Sequence, residues 1–172
     1  MPNSLLALAQ LNPTVGDLAG NAAQILQAAR TAYAQGARLL ITAELALTGY
    51  PPQDLLLRPD FLAASDAVLA QLAQDLYAAA PDMQVLVGHP TGRADTAQGR
   101  WDDARTGAPL FNAVSALQHG QIAQTWCKQY VPNYGVFDEQ RYFQPATPSE
   151  TPALLSFAGK QLGILICEDA WT

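Results

Sequence analysis

The sequence predicts a layered α/β fold. An apolar run, an amphipathic helical stretch and a second apolar run succeed one another between Ser4 and Ile41, which is the order of a β–α–β unit. Two later pairs of apolar runs, each flanking a two-residue turn, add hairpins to that unit. At 172 residues the chain has room for one domain and not comfortably for two.

The elements follow in order. Ser4–Gln10 is a short apolar run ended by Asn12-Pro13 and reads as a buried strand. Asn21 is placed to cap a helix over about Ala22–Gln35, whose residues Ala22, Ile25, Leu26, Ala29 and Tyr33 recur at helical spacing, with Gly36 at the C′ position. Leu39–Ile41 is a second strand, followed by the Pro-rich loop Gly49-Tyr50-Pro51-Pro52. A second helix is expected from near Pro59 to just before Pro81, burying Leu62, Leu69, Leu72, Ala73 and Leu76. Val85–Val87 is a third strand, and the polar, Gly-rich stretch from about Gly92 to Gly107 reads as a mobile surface loop. Leu110–Leu117 and Gln121–Lys128 flank the turn His119-Gly120, and Leu154–Phe157 and Gln161–Cys167 flank Ala158-Gly159. One hairpin therefore ends at Lys128 and the other at Cys167.

Composition narrows the function. Hydrophobic residues make up 49% of the chain, charged residues only 14%, and the net charge is −6. That balance argues against non-specific nucleic-acid binding, which needs Lys and Arg to neutralise phosphates, and against docking on an anionic membrane. No apolar run reaches the length of a membrane span, and Met1-Pro2-Asn3 offers no basic region of a signal peptide. The two cysteines, Cys127 and Cys167, make no disulfide framework, so a cytoplasmic setting is expected. The only histidines are His89 and His119, and no metal-ligand spacing is present.

Three residues stand out as chemical candidates. Cys167 ends the apolar run Leu162–Ile166 and is followed at once by Glu168 and Asp169. A nucleophile on a sharp turn at a strand end projects toward substrate; the competing reading is a buried structural cysteine. Lys128 ends another apolar strand, where a lysine is either solvated or a partly buried ammonium that lowers a nearby thiol's pKa and stabilises an oxyanion. Glu44 is the only charge between Arg38 and Asp54, so it is either ion-paired or a tuned base. A Cys–His arrangement is the weaker alternative, because His119 occupies a hairpin turn and His89 carries no local protease signature. Cys127 neighbours Lys128 on a strand and must face the opposite way.

Read together, these segments resemble the nitrilase, or carbon–nitrogen hydrolase, superfamily, whose pattern is a Glu, a Lys and a Cys in that order, each after a strand. More narrowly they are similar to the glutaminase domain of glutamine-dependent NAD synthetases. The matching stretches are Ala7–Pro13, Glu44–Pro52 with Asp54–Pro59 after it, Lys128–Glu139 and Ile166–Trp171, and the likeness they mark out runs over nearly the whole chain. The resemblance implies an α-β-β-α sandwich with Glu44 as base, Lys128 as cation and Cys167 as nucleophile. It implies Glu139 as a second acid holding Lys128, Tyr134 and Tyr50 in the substrate pocket, and the Glu168 N–H beside Lys128 at the oxyanion. Thr42-Ala43 stands where the family usually has Phe-Pro, which is expected to loosen the backbone presenting Glu44.

The same resemblance implies glutamine as substrate and a synthetase domain of the same parent chain as partner. That domain would use ATP and Mg²⁺ to amidate nicotinic acid adenine dinucleotide. No phosphate-binding motif occurs here, so no cofactor is expected in this domain and no metal at its site. The parent is expected to be a cytoplasmic homo-oligomer. The family domain continues beyond its cysteine, so residues 1–172 read as an incomplete domain with weak glutaminase activity and no NAD synthesis of their own. A stand-alone amidase acting on another small amide, or an inactive fragment, are the alternatives.

Overall fold

The computed structural model describes residues 5–92, 109–147 and 153–171. The elements are β1 (Leu5–Leu8), α1 (Leu18–Ala34), β2 (Ala37–Ile41), α2 (Pro59–Ala79), β3 (Gln84–Gly92), β4 (Leu110–Gln118), β5 (Gln121–Cys127), β6 (Leu154–Phe157) and β7 (Lys160–Gly163). Five strands form one sheet in the order β1-β2-β3-β4-β5, and β6 pairs with β7 in a separate hairpin. The β1–β2 and β2–β3 pairs are parallel, and β3–β4 and β4–β5 are antiparallel.

Alternation along the central strands builds two cores. Leu40, Val85, Val87 and Leu117 point to one face and pack with Ile25, Ala29, Leu69, Leu72 and Leu76 of the two helices. Their neighbours Leu39, Leu86 and Ala116 point to the other face and meet Leu155, Phe157 and Leu162 of the β6–β7 hairpin. A strand side chain changes face at every residue, so continuous apolar runs are what a sheet covered on both sides requires. Among the described residues the layers are thus helices, sheet and second sheet, the first three of the expected α-β-β-α order. No described helix is long and apolar enough to cross a membrane.

Several boundaries differ from the sequence expectation. Helix α1 starts at Leu18, capped by Asp17, whose carboxylate accepts from the Gly20 N–H at 2.9 Å. Asn21 is instead buried within the helix, where its amide bonds Thr14 and the Leu47 carbonyl. Its side chain can satisfy tertiary partners there, and Asp17 supplies the capping oxygen one turn earlier. Gly36 does take the left-handed conformation, at φ +92°. Strand β1 is not buried: it lies at the sheet edge, and Leu8 is 68% exposed. Strand β7 ends at Gly163 rather than at Cys167, and Leu165 is exposed, because only the Ile164 N–H, bonded to the Ala153 carbonyl, extends the pairing. Gly92 closes β3, and the rest of the stretch read as a surface loop lies outside the described residues. The expected turns hold their places, with φ of +52° at His119 and +51° at Ala158.

A polar chain crosses three strands, buried at His89 and Ser115 and reaching the surface at Thr125. His89 of β3 contacts the Ser115 hydroxyl of β4 through Nε2 at 2.7 Å, and Ser115 contacts the Thr125 hydroxyl of β5 at 2.7 Å. The other ring nitrogen, Nδ1, lies 2.9 Å from the Pro90 carbonyl, which only an N–H can satisfy. Burial pushes the His89 pKa down to about 4, since the imidazolium charge would be desolvated, and the bond to the Pro90 carbonyl only partly offsets this. The unfolded chain takes up that proton near pH 6.5, whereas the folded chain resists it. His89 thus contributes stability that is complete above about pH 6.5 and is lost as pH falls toward 4, to the extent of about 3 kcal/mol. Urea unfolding measured at near-neutral and at mildly acidic pH should show this loss, and His89→Gln should show a smaller one.

Candidate active site

Sheet direction gathers the polar residues at one end. Strands β1, β2, β3 and β5 run the same way and β4 runs against them, so the ends of β2 and β5 and the beginning of β4 share one edge. Glu44 follows β2, Lys128 follows β5, and Asn112 lies near the start of β4 with its carbonyl accepting the Lys128 N–H at 2.8 Å.

The lysine side chain is fully buried, at 0% exposure. Its Nζ donates to Glu44 Oε1 at 2.7 Å and to Glu139 Oε2 at 2.9 Å. Burial alone would lower its pKa, but the two carboxylates more than offset this and the ammonium is held charged. An ammonium has three protons, and no described residue takes the third.

The two acids are engaged differently. Glu139 has both oxygens occupied, Oε2 by Lys128 and Oε1 by the Tyr50 hydroxyl at 2.8 Å. Burial and that hydrogen bond to Glu139 raise the Tyr50 pKa, so its proton stays on the phenol. Glu44 takes both of its neutral and charged donors on one oxygen: Asn112 Nδ2 reaches Oε1 at 2.6 Å, beside Lys128 Nζ. Its second oxygen remains for a proton from elsewhere. That division makes Glu44 the candidate base and Glu139 a fixed counter-charge.

Cys167 opens the 3-10 turn Cys167–Ala170 with φ +47°, a left-handed conformation that a side-chain-bearing residue rarely adopts. The sharp turn aims the thiol at the acid pair: Glu44, Lys128 and Glu139 all act on its titration. Partial burial comes first in raising its pKa, then the Glu44 charge, and Lys128 opposes them without prevailing. The sequence expectation of a thiol lowered by lysine is therefore corrected. One ammonium facing two carboxylates leaves no net positive charge for a thiolate. The Cys167 thiol is therefore neutral at rest. Cys127 faces away, into a cavity with Tyr130, Ile164 and Ile166, and burial pushes its thiol up to about 11.

Tyr134 and Glu168 meet at the mouth of the site, the phenol donating to the carboxylate at 2.9 Å. That bond raises the Tyr134 pKa. The Glu168 N–H lies in the first turn of its short helix, where backbone donors have no partner within the turn. Glu44, Lys128, Cys167 and Glu139 are thus brought together, Tyr50 bonds Glu139, and Tyr134 and Glu168 pair beside them.

Three contributors were not read from the sequence. Asn112 is buried within the run Leu110–Ala113, and a lone amide in such a run must be satisfied, which was the available signal. Because the amide turns its NH₂ end to Glu44, its Oδ1 is buried without a described partner, a cost of about 1–3 kcal/mol. Gly88 underlies the base: a Cβ there would lie 2.5 Å from the Leu45 nitrogen and 2.6 Å from the Ala43 carbonyl oxygen. Thr42, expected to leave this backbone loose, instead ties it to β3, its hydroxyl donating to the Leu86 carbonyl at 3.0 Å and accepting from the Gly88 N–H at 3.3 Å. Among the described residues, no group of three His, Cys, Asp or Glu is arranged to hold a metal ion.

Residues 5–172 match the carbon–nitrogen hydrolase family model. The chain is 42% identical over 167 residues to a glutamine-dependent NAD(+) synthetase of Synechocystis sp., covering 96% of this chain and 28% of that protein. The structure of a glutamine-dependent NAD+ synthetase from Acinetobacter baumannii superposes with a TM-score of 0.81 at 33% identity, over 97% of this chain and 28% of that one. An amidase from Nesterenkonia sp. superposes with a TM-score of 0.68 at 25% identity, over 93% of this chain and 54% of that one. The chain therefore spans little more than a quarter of the synthetases it matches.

Two substitutions test this construction. Lys128→Met strands two carboxylates without their cation and should destabilise the fold by about 3–5 kcal/mol in urea unfolding. Gly88→Ala should cost about 1–3 kcal/mol, because backbone rather than a movable side chain must give way.

Proposed function

The chain belongs to the carbon–nitrogen hydrolase family, and on that premise we propose that it hydrolyses the side-chain amide of glutamine. The observation that carries the proposal is a buried Lys128 clamped between Glu44 and Glu139 in front of a cysteine on a left-handed turn. The choice of glutamine draws on the likeness to the Synechocystis and Acinetobacter synthetases.

The chemistry follows from the arrangement. Glu44 removes the Cys167 thiol proton as sulfur attacks the carboxamide carbon. The third Lys128 proton and the Glu168 N–H hold the oxyanion that forms. Glu44 returns the proton to the departing nitrogen, releasing ammonia and leaving a γ-glutamyl thioester on Cys167. Glu44 then takes a proton from water, the hydroxide attacks the thioester, and glutamate leaves as the thiol is restored. Tyr134 and Glu168, at the mouth, are the polar groups offered to the rest of the substrate, and Tyr50 holds Glu139 on the Lys128 side of the pocket. In the parent chain the ammonia would pass to a synthetase domain that uses ATP and Mg²⁺ to convert nicotinic acid adenine dinucleotide to NAD. That parent would act as a homo-oligomer in the cytoplasm.

A second reading, an amidase acting on another small amide, is favoured by the likeness to the Nesterenkonia enzyme. Ammonia release from glutamine compared with that from short aliphatic amides separates the two.

In the parent protein, Cys167→Ala should abolish ammonia release from glutamine, and Cys127→Ala should leave most of it. If synthesis is attached, Cys167→Ala should still make NAD when free ammonia is supplied. The reverse behaviour of the two cysteine variants would overturn the assignment.

A further inference from the structure

We propose that Asp169 is a positioning residue that sets the placement of Cys167 relative to Lys128, which rests on their assignment as nucleophile and oxyanion cation. The two side chains come from segments joined by no sheet ladder. Lys128 is anchored on the main sheet, its N–H to the Asn112 carbonyl at 2.8 Å and its own carbonyl to the Ala146 N–H at 2.9 Å. Cys167 is not so anchored, because β7 ends at Gly163 and the pairing stops with the Ile164 N–H.

One carboxylate spans the gap. Asp169 Oδ1 accepts the N–H groups of Gln129 at 3.0 Å and Tyr130 at 2.9 Å, the two residues after Lys128. Its Oδ2 accepts the N–H of Ile166 at 3.1 Å, the residue before Cys167. The Asp169 N–H also closes the turn onto the Ile166 carbonyl at 3.1 Å. A residue at φ +47° relaxes unless its neighbours hold it, and Asp169 grips the peptide just ahead of Cys167. It therefore both maintains the strained turn and fixes it against the lysine segment. The Tyr134–Glu168 bond links the same two segments at the exposed mouth, where one phenol proton shared between two carboxylate oxygens constrains position less than three backbone donors do.

A reporter of mere loosening is built in. Cys127 lines a small cavity of about 60 Å³ that Asp169, Tyr130 and Ile166 also line. If Asp169 only kept the hairpin packed, removing it would open this cavity and expose Cys127. If it positions Cys167, the turn shifts while Cys127 stays covered.

Asp169→Ala and Asp169→Asn should be compared with the parent protein by iodoacetamide alkylation of each cysteine, followed by mass spectrometry from about pH 6 to about pH 10. Glutamine turnover is measured alongside. In Asp169→Ala the alkylation midpoint of Cys167 should fall toward that of an ordinary thiol, because burial and Glu44 now raise it. Turnover should drop on the order of 100-fold, with Cys127 still unreactive. Asp169→Asn keeps an acceptor for Gln129 and Tyr130 and loses the one for Ile166, so it should be intermediate on both measures. An unchanged Cys167 profile and turnover in Asp169→Ala would overturn the proposal. So would reactivity of Cys127 in both variants, which would make Asp169 a packing residue. Absence of glutamine turnover in the parent protein would sink the glutaminase assignment instead, with the alkylation profiles still deciding the role of Asp169.

Discussion

The burial of a single ammonium is the constraint on which the rest of the site depends. Lys128 has no solvent contact, and a charge without water must be met by opposite charge and hydrogen bonds or be lost as a proton. Glu44 and Glu139 meet it from opposite stretches of the chain, one after β2 and one in the turn Glu139–Arg141. Each acid is in turn held: Glu44 by Asn112, Glu139 by Tyr50. Such a network stabilises little over an apolar core of equal volume, yet it fixes geometry tightly, since every member loses its partner if one moves.

Charge balance then dictates how the thiol works. One cation and two anions leave the site net negative, so Cys167 rests as a neutral thiol rather than as a thiolate paired with lysine. In the proposed reaction ionisation coincides with attack on substrate, and Glu44 keeps one carboxylate oxygen without a described donor for that proton. Holding the sulfur protonated until a carbonyl arrives also limits its reaction with other electrophiles. In the proposed reaction Lys128 serves the oxyanion, through the one proton not given to a carboxylate.

Two of the five described side-chain-bearing residues at positive φ lie at the candidate site. Leu45, next to Glu44, has φ +49° and Cys167 has φ +47°. Both are side-chain-bearing residues in a region that costs of order 1–3 kcal/mol to occupy. The surroundings hold each in place. The Leu45 turn is wedged against Gly88, tied through Thr42 and bonded at Leu47 to the Gly88 carbonyl at 3.0 Å. The Cys167 turn is gripped by Asp169.

What the sequence by itself determined is the set of elements and the candidate residues that the fold then brings together. The periodicity of α2, the two hairpins with left-handed turn residues, and the isolation of Glu44 in apolar surroundings are local facts that any fold of this chain must respect. Local pattern did not separate Asn21 from Asp17 as the α1 cap, because both residue types cap helices and only packing decides which is buried. It also overstated the burial of β1 and extended β7 to Cys167, because apolar composition does not reveal whether a strand lies at an edge or where its ladder stops. The functions of Asn112, Gly88 and Asp169 were decided only by tertiary structure. Each acts on a residue far away in the chain, and a hydrogen bond or close approach across such a separation leaves no spacing to read. The charge state of Cys167 was settled the same way, because it depends on how many carboxylates share one lysine, which only their meeting in space determines.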